Sequence, residues 1–184
     1  MNAMAVRNNS SAAVLRAVII YDDFDSATRA TALLERVVLR VDEAIKWDIK
    51  PWRFDVLKQP ALAALTVAVA ANADLIVLAL GHKDSTREEL LDWLKNWAET
   101  RRIANAALLA LPSDEPSTPS APWDELGSFA EVHGLIFLDQ NGIGHDGSRA
   151  PFDSRWRRRF VAPRLARITA PDRLPLPSHW GINE

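Results

Sequence analysis

The run Ala73-Asp74-Leu75-Ile76-Val77-Leu78-Ala79-Leu80-Gly81-His82 decides the fold. Leu75 to Leu80 are apolar without a break, and a turn signal stands at each end. A short apolar run with no alternation suits a strand buried on both faces, as the central strand of a parallel sheet is. Whatever follows its carboxyl end then lies where ligands of such sheets sit.

Toward the amino terminus, Ala61 to Ala71 is nearly all Ala, Leu and Val, and predicts a helix buried on more than one side. Pro60 opens it, where a missing N–H costs nothing. Trp52-Arg53-Phe54-Asp55-Val56-Leu57 alternates apolar and polar residues and predicts a half-buried edge strand, with Pro51 at its start. Before it, Leu34, Val38, Val41 and Ile45 fall at helical spacing, predicting a helix that ends near Lys46 and is capped by Asp25 or Ser26. Leu15 to Tyr21 is β-branched and apolar and predicts the first strand, which stops at Asp22-Asp23. Residues 1–14 are small and polar and predict a flexible segment.

Toward the carboxyl terminus, Ser85 or Thr86 caps a predicted third helix, with Glu88 and Glu89 suited to its positive end. Leu90, Leu94 and Trp97 form its apolar stripe, with Trp93 beside them. Ala106 to Leu111 predicts a fourth strand, and residues 113–122, rich in Pro and Ser, a loop. Asp124 to Val132 predicts a fourth helix ended by Gly134, and Leu135 to Leu138 a fifth strand. Alternating strands and helices imply an α/β domain over residues 15–140. The expected form is a doubly wound five-stranded parallel sheet, order 2-1-3-4-5, with helices on both faces. Residues 141–184 are an irregular Arg/Pro-rich extension.

The chain has 184 residues and no cysteine, which excludes a disulfide framework, a zinc–thiolate site and a cysteine nucleophile. No apolar run approaches the roughly 18 residues of a membrane span, and no apolar core follows Arg7, so a cytoplasmic protein is expected. The net charge of -2 conceals an asymmetry. Between Arg149 and Arg173 stand eight arginines against Asp153 and Asp172, while the first 148 residues carry a net -7. A basic extension on an acidic body can bind an acidic partner or fold back on that body, and the second reading ranks first.

Asp22-Asp23, at the end of the first strand, can hold Mg²⁺ opposite a phosphate. With Asp74-Leu75-Ile76-Val77-Leu78 as third strand, the chain resembles the receiver domains of response regulators. In that family an acidic pair follows strand one, a phosphoacceptor aspartate ends strand three, a Ser or Thr ends strand four and a lysine ends strand five. Here Asp22 and Asp23 match the pair. Ala79 occupies the phosphoacceptor position, the hydroxyl is either absent or displaced to Ser113, and Leu138-Asp139-Gln140 holds no lysine. The resemblance therefore implies a bacterial signalling module without aspartyl-phosphate chemistry. Equally, Asp22-Asp23 reads as a solvated turn that caps the first helix.

The segment Gly81-His82-Lys83-Asp84-Ser85 is placed beside Asp22. His82 with Asp84 or Asp23 can form an acid–base pair, and Lys83, Ser85 and Ser113 can hold an anion. Residues 73–82 are also similar to the ADLIVxxxxGH segment of universal stress proteins, although the glycine-rich phosphate loop of that family is missing here. A polar helix-capping loop is the favoured reading. Gly142-Ile143-Gly144-His145-Asp146-Gly147 fits G-x-G-x-x-G as a string, but follows the last strand rather than the first, and reads as a glycine-rich turn.

Arg155, Trp156, Arg157, Arg158, Arg159 and Phe160 mix guanidinium groups with aromatic rings, and Trp180 stands near the carboxyl terminus. Such a segment suits contact with protein, through arginine forks on carboxylates, ahead of nucleic acid. The leading expectation is a non-catalytic receiver-like module. It binds a protein partner or a second copy of itself through the fourth helix, the fifth strand and the extension, and needs no cofactor. A small nucleotide- or phosphate-binding protein or hydrolase, using the strand ends, is the alternative. Nucleic-acid binding through the arginines ranks third, and no membrane contact is expected.

Overall fold

The computed structural model describes residues 13–41, 45–80, 87–111 and 121–139. In chain order these form β1 (Ala13–Tyr21), α1 (Phe24–Val41), β2 (Ile45–Arg53), a 3-10 turn (Phe54–Lys58), α2 (Pro60–Ala70), β3 (Leu75–Ala79), α3 (Arg87–Thr100), β4 (Ala107–Leu111), α4 (Ala121–Val132) and β5 (Ile136–Asp139). The five strands pair in parallel in the order β2-β1-β3-β4-β5, the doubly wound arrangement expected from the alternating pattern. No helix of the described residues is long and apolar enough to cross a membrane.

β3 sits at the centre, and all five of its residues are buried. Alternate strand residues feed two cores. Leu15, Ala17, Ile19, Leu75, Val77, Ala107 and Leu109 meet α1, through Ala30, Leu34 and Val37. Val18, Ile20, Ile76, Leu78, Leu108 and Ala110 meet the 3-10 turn, α2, α3 and α4. Burying each large aliphatic or aromatic side chain contributes about 1.5–3 kcal/mol, so this two-sided sheet carries most of the stability. Trp93 and Trp97 are core residues, as their one-turn spacing suggests. The Trp93 indole N–H donates to Thr66 Oγ1 at 2.8 Å, and that of Trp97 donates to the Ala70 carbonyl at 3.0 Å, tying α3 to α2.

Asp74 marks the amino edge of β3. Its backbone N–H donates to the Arg16 carbonyl at 2.8 Å, and its Oδ2 accepts the Arg16 backbone N–H at 2.9 Å. Gly134 ends α4 at φ +62°, left-handed backbone that glycine adopts without steric cost. Leu135 N–H then closes back on the Ala130 carbonyl at 2.7 Å.

Three expectations are corrected. The first concerns β2, which was expected at residues 52–57 after a helix reaching Lys46. It runs instead from Ile45 to Arg53, and Phe54–Lys58 is a 3-10 turn. Trp47 and Ile49 pack toward α1 while Lys46 and Lys50 are exposed, the two-residue period of a strand. The Trp47 indole N–H donates to the Leu34 carbonyl at 3.0 Å. Pro51 lies inside this strand, opposite Ile19, and is accommodated because β2 is an edge. The second concerns α2, which is not enclosed. Thr66 and Ala70 are buried, but Ala61, Ala64, Leu65 and Ala68 face solvent, with Leu65 50% exposed. The third concerns the cap of α1, which is Asp23 rather than Asp25 or Ser26.

Candidate site at the carboxyl edge of the sheet

β1, β3 and β4 end side by side, with Tyr21 opposite Ala79 and Ala79 opposite Leu111. Asp22 and Asp23 leave β1 at this edge and lead directly into α1. The chain turns there because the first amides of a helix need acceptors, and aspartate supplies one at the cap position. Asp23 Oδ1 accepts the Ser26 backbone N–H at 2.8 Å, and Oδ2 accepts the Ser26 hydroxyl at 2.8 Å. Arg29 Nη2 donates to Ser26 Oγ at 3.1 Å, so a guanidinium backs the hydroxyl that bonds the carboxylate. Asp22 Oδ1 accepts the Asp23 backbone N–H at 2.9 Å.

These donors hold the Asp23 carboxyl below its usual value of 3.8, first through the Ser26 backbone N–H and then through the Ser26 hydroxyl. Two of roughly four acceptor positions on the carboxylate are thus committed to its own helix. Asp23 is exposed and Asp22 half-buried, so the pair faces the open edge rather than a sealed pocket. Among the described residues, no group of three or more His, Asp or Glu side chains stands close enough to hold a metal ion. A Mg²⁺ ion at Asp22-Asp23 would take its other ligands from water or a bound phosphate, as Mg²⁺ commonly does.

Ala79 carries only a methyl group, 2% exposed, and belongs to the core on the α1 side. It offers no donor, acceptor or nucleophile at the middle of the edge. His82, Lys83, Asp84, Ser85 and Ser113 lie outside the described residues, as do Arg155, Trp156, Arg157, Arg158, Arg159 and Trp180. The structure thus brings together Asp22, Asp23, Ser26 and Arg29. Arg29 was not singled out from sequence, and Ser26 was expected as a cap in its own right rather than as the donor to Asp23, although its place three residues after Asp23 has the spacing of a capping pair.

Two exposed apolar features were also missed. Phe24 is 80% exposed immediately after the acidic pair. Its signal is the string Asp22-Asp23-Phe24-Asp25, in which a ring flanked by carboxylates has no route to the core. The outward stripe of α2, Ala61, Ala64, Leu65 and Ala68, repeats at three- and four-residue spacing on a helix without any charged residue. No family model matches the chain, and no curated protein matches it.

Proposed function

We propose that this protein is a non-catalytic, receiver-like regulatory module that works by binding another protein or a second copy of itself, without aspartyl phosphorylation. The observation that carries this reading is Ala79. The position that would bear a phosphoacceptor in the resembling family holds a methyl group, packed at 2% exposure between Tyr21 and Leu111. An aliphatic side chain accepts no phosphoryl group. Asp23, the acid nearest in the chain to that edge after Asp22, is engaged in capping α1.

A binding role is supported by α2, a surface helix with no charge and with Leu65 half-exposed on its outward stripe. Contiguous apolar surface left exposed on a helix face is a feature of interaction sites. Incubation of the full chain with a small-molecule phosphodonor and Mg²⁺, read by intact mass, tests the chemistry. The protein is expected to remain unmodified, and a stoichiometric phosphate mapped to an aspartate would overturn the proposal.

A further inference from the structure

The sheet ends at β2 on one side. This strand is nine residues long and pairs with β1, and no further described strand lies beyond it. An edge strand turns a row of backbone donors and acceptors away from its own sheet. Which residues do so here follows from the neighbouring pairing. The Arg16 carbonyl accepts the Asp74 N–H, so the β1 backbone faces β3 at Arg16 and, by alternation, at Val18 and Ile20. It faces β2 at Ala17 and Ile19. Ala17 stands opposite Ile49, and in a parallel ladder a residue bonds the two neighbours of the one it faces. Asp48 and Lys50 thus give their backbone groups to β1, and Ile49 turns its own outward.

The side chains along this edge carry a pattern as well. Lys46, Asp48 and Lys50 share one face of the strand, with both lysines exposed and Asp48 half-buried. Two copies of such a strand can lie antiparallel in only a few ways. Centred on Asp48, the pairing sets Asp48 against Asp48 and Lys46 against Lys50, which like charges disfavour. Centred on Trp47, only residues 45–49 overlap. Centred on Ile49, all nine residues overlap, Ile49 meets Ile49, and Asp48 of each copy meets Lys50 of the other. No like-charged pair then stands opposite. Pro51 withholds one donor on either side of that centre, a gap that an edge strand tolerates. The helices leave room for this arrangement. α1 packs against β1, β2 and β3 and so lies over the middle one, β1. In the joined sheet two α1 helices lie three strand spacings apart, about 14 Å, whereas a helix with its side chains is about 10–12 Å across.

We propose that this protein forms a two-fold dimer in which β2 pairs antiparallel with β2 of a second copy, centred on Ile49 and held in register by two Asp48–Lys50 pairs. Two five-stranded sheets thereby join into one. Each copy uses the same edge, so the assembly closes at two. The inference rests on the self-binding half of the proposed function, and it uses a surface apart from the outward stripe of α2.

Charge reversal in the full chain, followed by sedimentation equilibrium, tests it. Asp48→Lys sets lysine against lysine within its own dimer, and Lys50→Asp sets aspartate against aspartate. The parent chain is expected to be dimeric, and each variant alone to associate about tenfold more weakly or worse. Mixed in equal amounts, the two variants are expected to pair with each other as tightly as the parent does, because position 48 of each again meets the opposite charge at position 50 of the other. Variants that had only lost their fold would not be rescued by mixing. A monomeric parent, single variants as dimeric as the parent, or a mixture that stays dissociated would each overturn the proposal. The first outcome also removes self-binding, and the other two move it to another surface. None of them bears on the absence of aspartyl phosphorylation, which the intact-mass measurement tests separately.

Discussion

Asp23 holds Ser26 twice, accepting its backbone N–H at 2.8 Å and its hydroxyl at 2.8 Å. The acid that most invited a functional reading is the cap of the first helix. Asp23→Ala is therefore expected to lower stability by about 1 kcal/mol at neutral pH, and Asp23→Asn to keep most of the cap. The pH dependence follows from the lowered carboxyl pKa. An acid with a depressed folded pKa stabilises above its unfolded value and loses that contribution as pH falls through the folded one. Urea melts between pH 7 and pH 2 should show the parent chain losing stability relative to Asp23→Asn below about pH 4. Parallel curves would remove Asp23 as a source of acid sensitivity.

Thr66 is buried between α2 and α3, donating to the Ala63 carbonyl at 2.7 Å and accepting the Trp93 indole N–H at 2.8 Å. Thr66→Val keeps the shape and removes the acceptor. It leaves a buried indole donor unbonded, at a cost of about 1–3 kcal/mol. Trp93→Phe in the same background should recover part of that loss, since the stranded donor goes with it. Additive effects in a chemical-denaturation double-mutant cycle would show that the bond is not coupled as described.

Ala79→Asp places a carboxyl group where the native methyl is 2% exposed, among Tyr21, Leu111 and the α1-side core. The expected cost is on the order of 3 kcal/mol near neutral pH, because an unpaired charge is taken from water. Burial disfavours the ionised form, so the penalty should shrink as pH falls toward 4. Thermal melts of the variant at pH 8 and pH 5 check the sign. Equal destabilisation at both would mean that the edge opens to water.

Leu65→Glu tests the outward stripe of α2. With Leu65 half-exposed, the substitution should change the urea midpoint by no more than about 0.5 kcal/mol equivalent. Sedimentation of the parent chain against the variant should show self-association weakened by about tenfold or more where α2 is the contact. Unaltered association would move the binding surface elsewhere on the domain.

The sheet order was legible because its signals are long and redundant. Leu75 to Leu80 cannot be other than a core element, and helix and strand signals alternate regularly on either side. β2 was misread because Ile45 satisfies two periods at once, extending the helical series from Leu34 while opening the alternation of Trp47 and Ile49. Pro51 strengthened the error by suggesting a start where an edge strand merely tolerates it. The surface placement of α2 was hidden because composition reports what a helix can bury, not how much neighbour is available to bury it. At the candidate site, the pairing of Asp23 with Ser26 was readable as spacing, whereas the Arg29 contact on the next turn depends on a rotamer.

The centre of the sheet also poses a problem of alignment. All five residues of β3 are apolar and buried, so sliding the strand by one position would exchange Leu75, Val77 and Ala79 for Ile76 and Leu78 with little change in hydrophobic content. Such a strand carries no alternation to say where it should stop. Asp74 supplies that stop. By gripping the Arg16 backbone through both its amide and its carboxylate, it acts as an index mark that only one alignment of β3 on β1 satisfies. The most featureless strand in the protein is thus positioned by the one charged residue at its threshold.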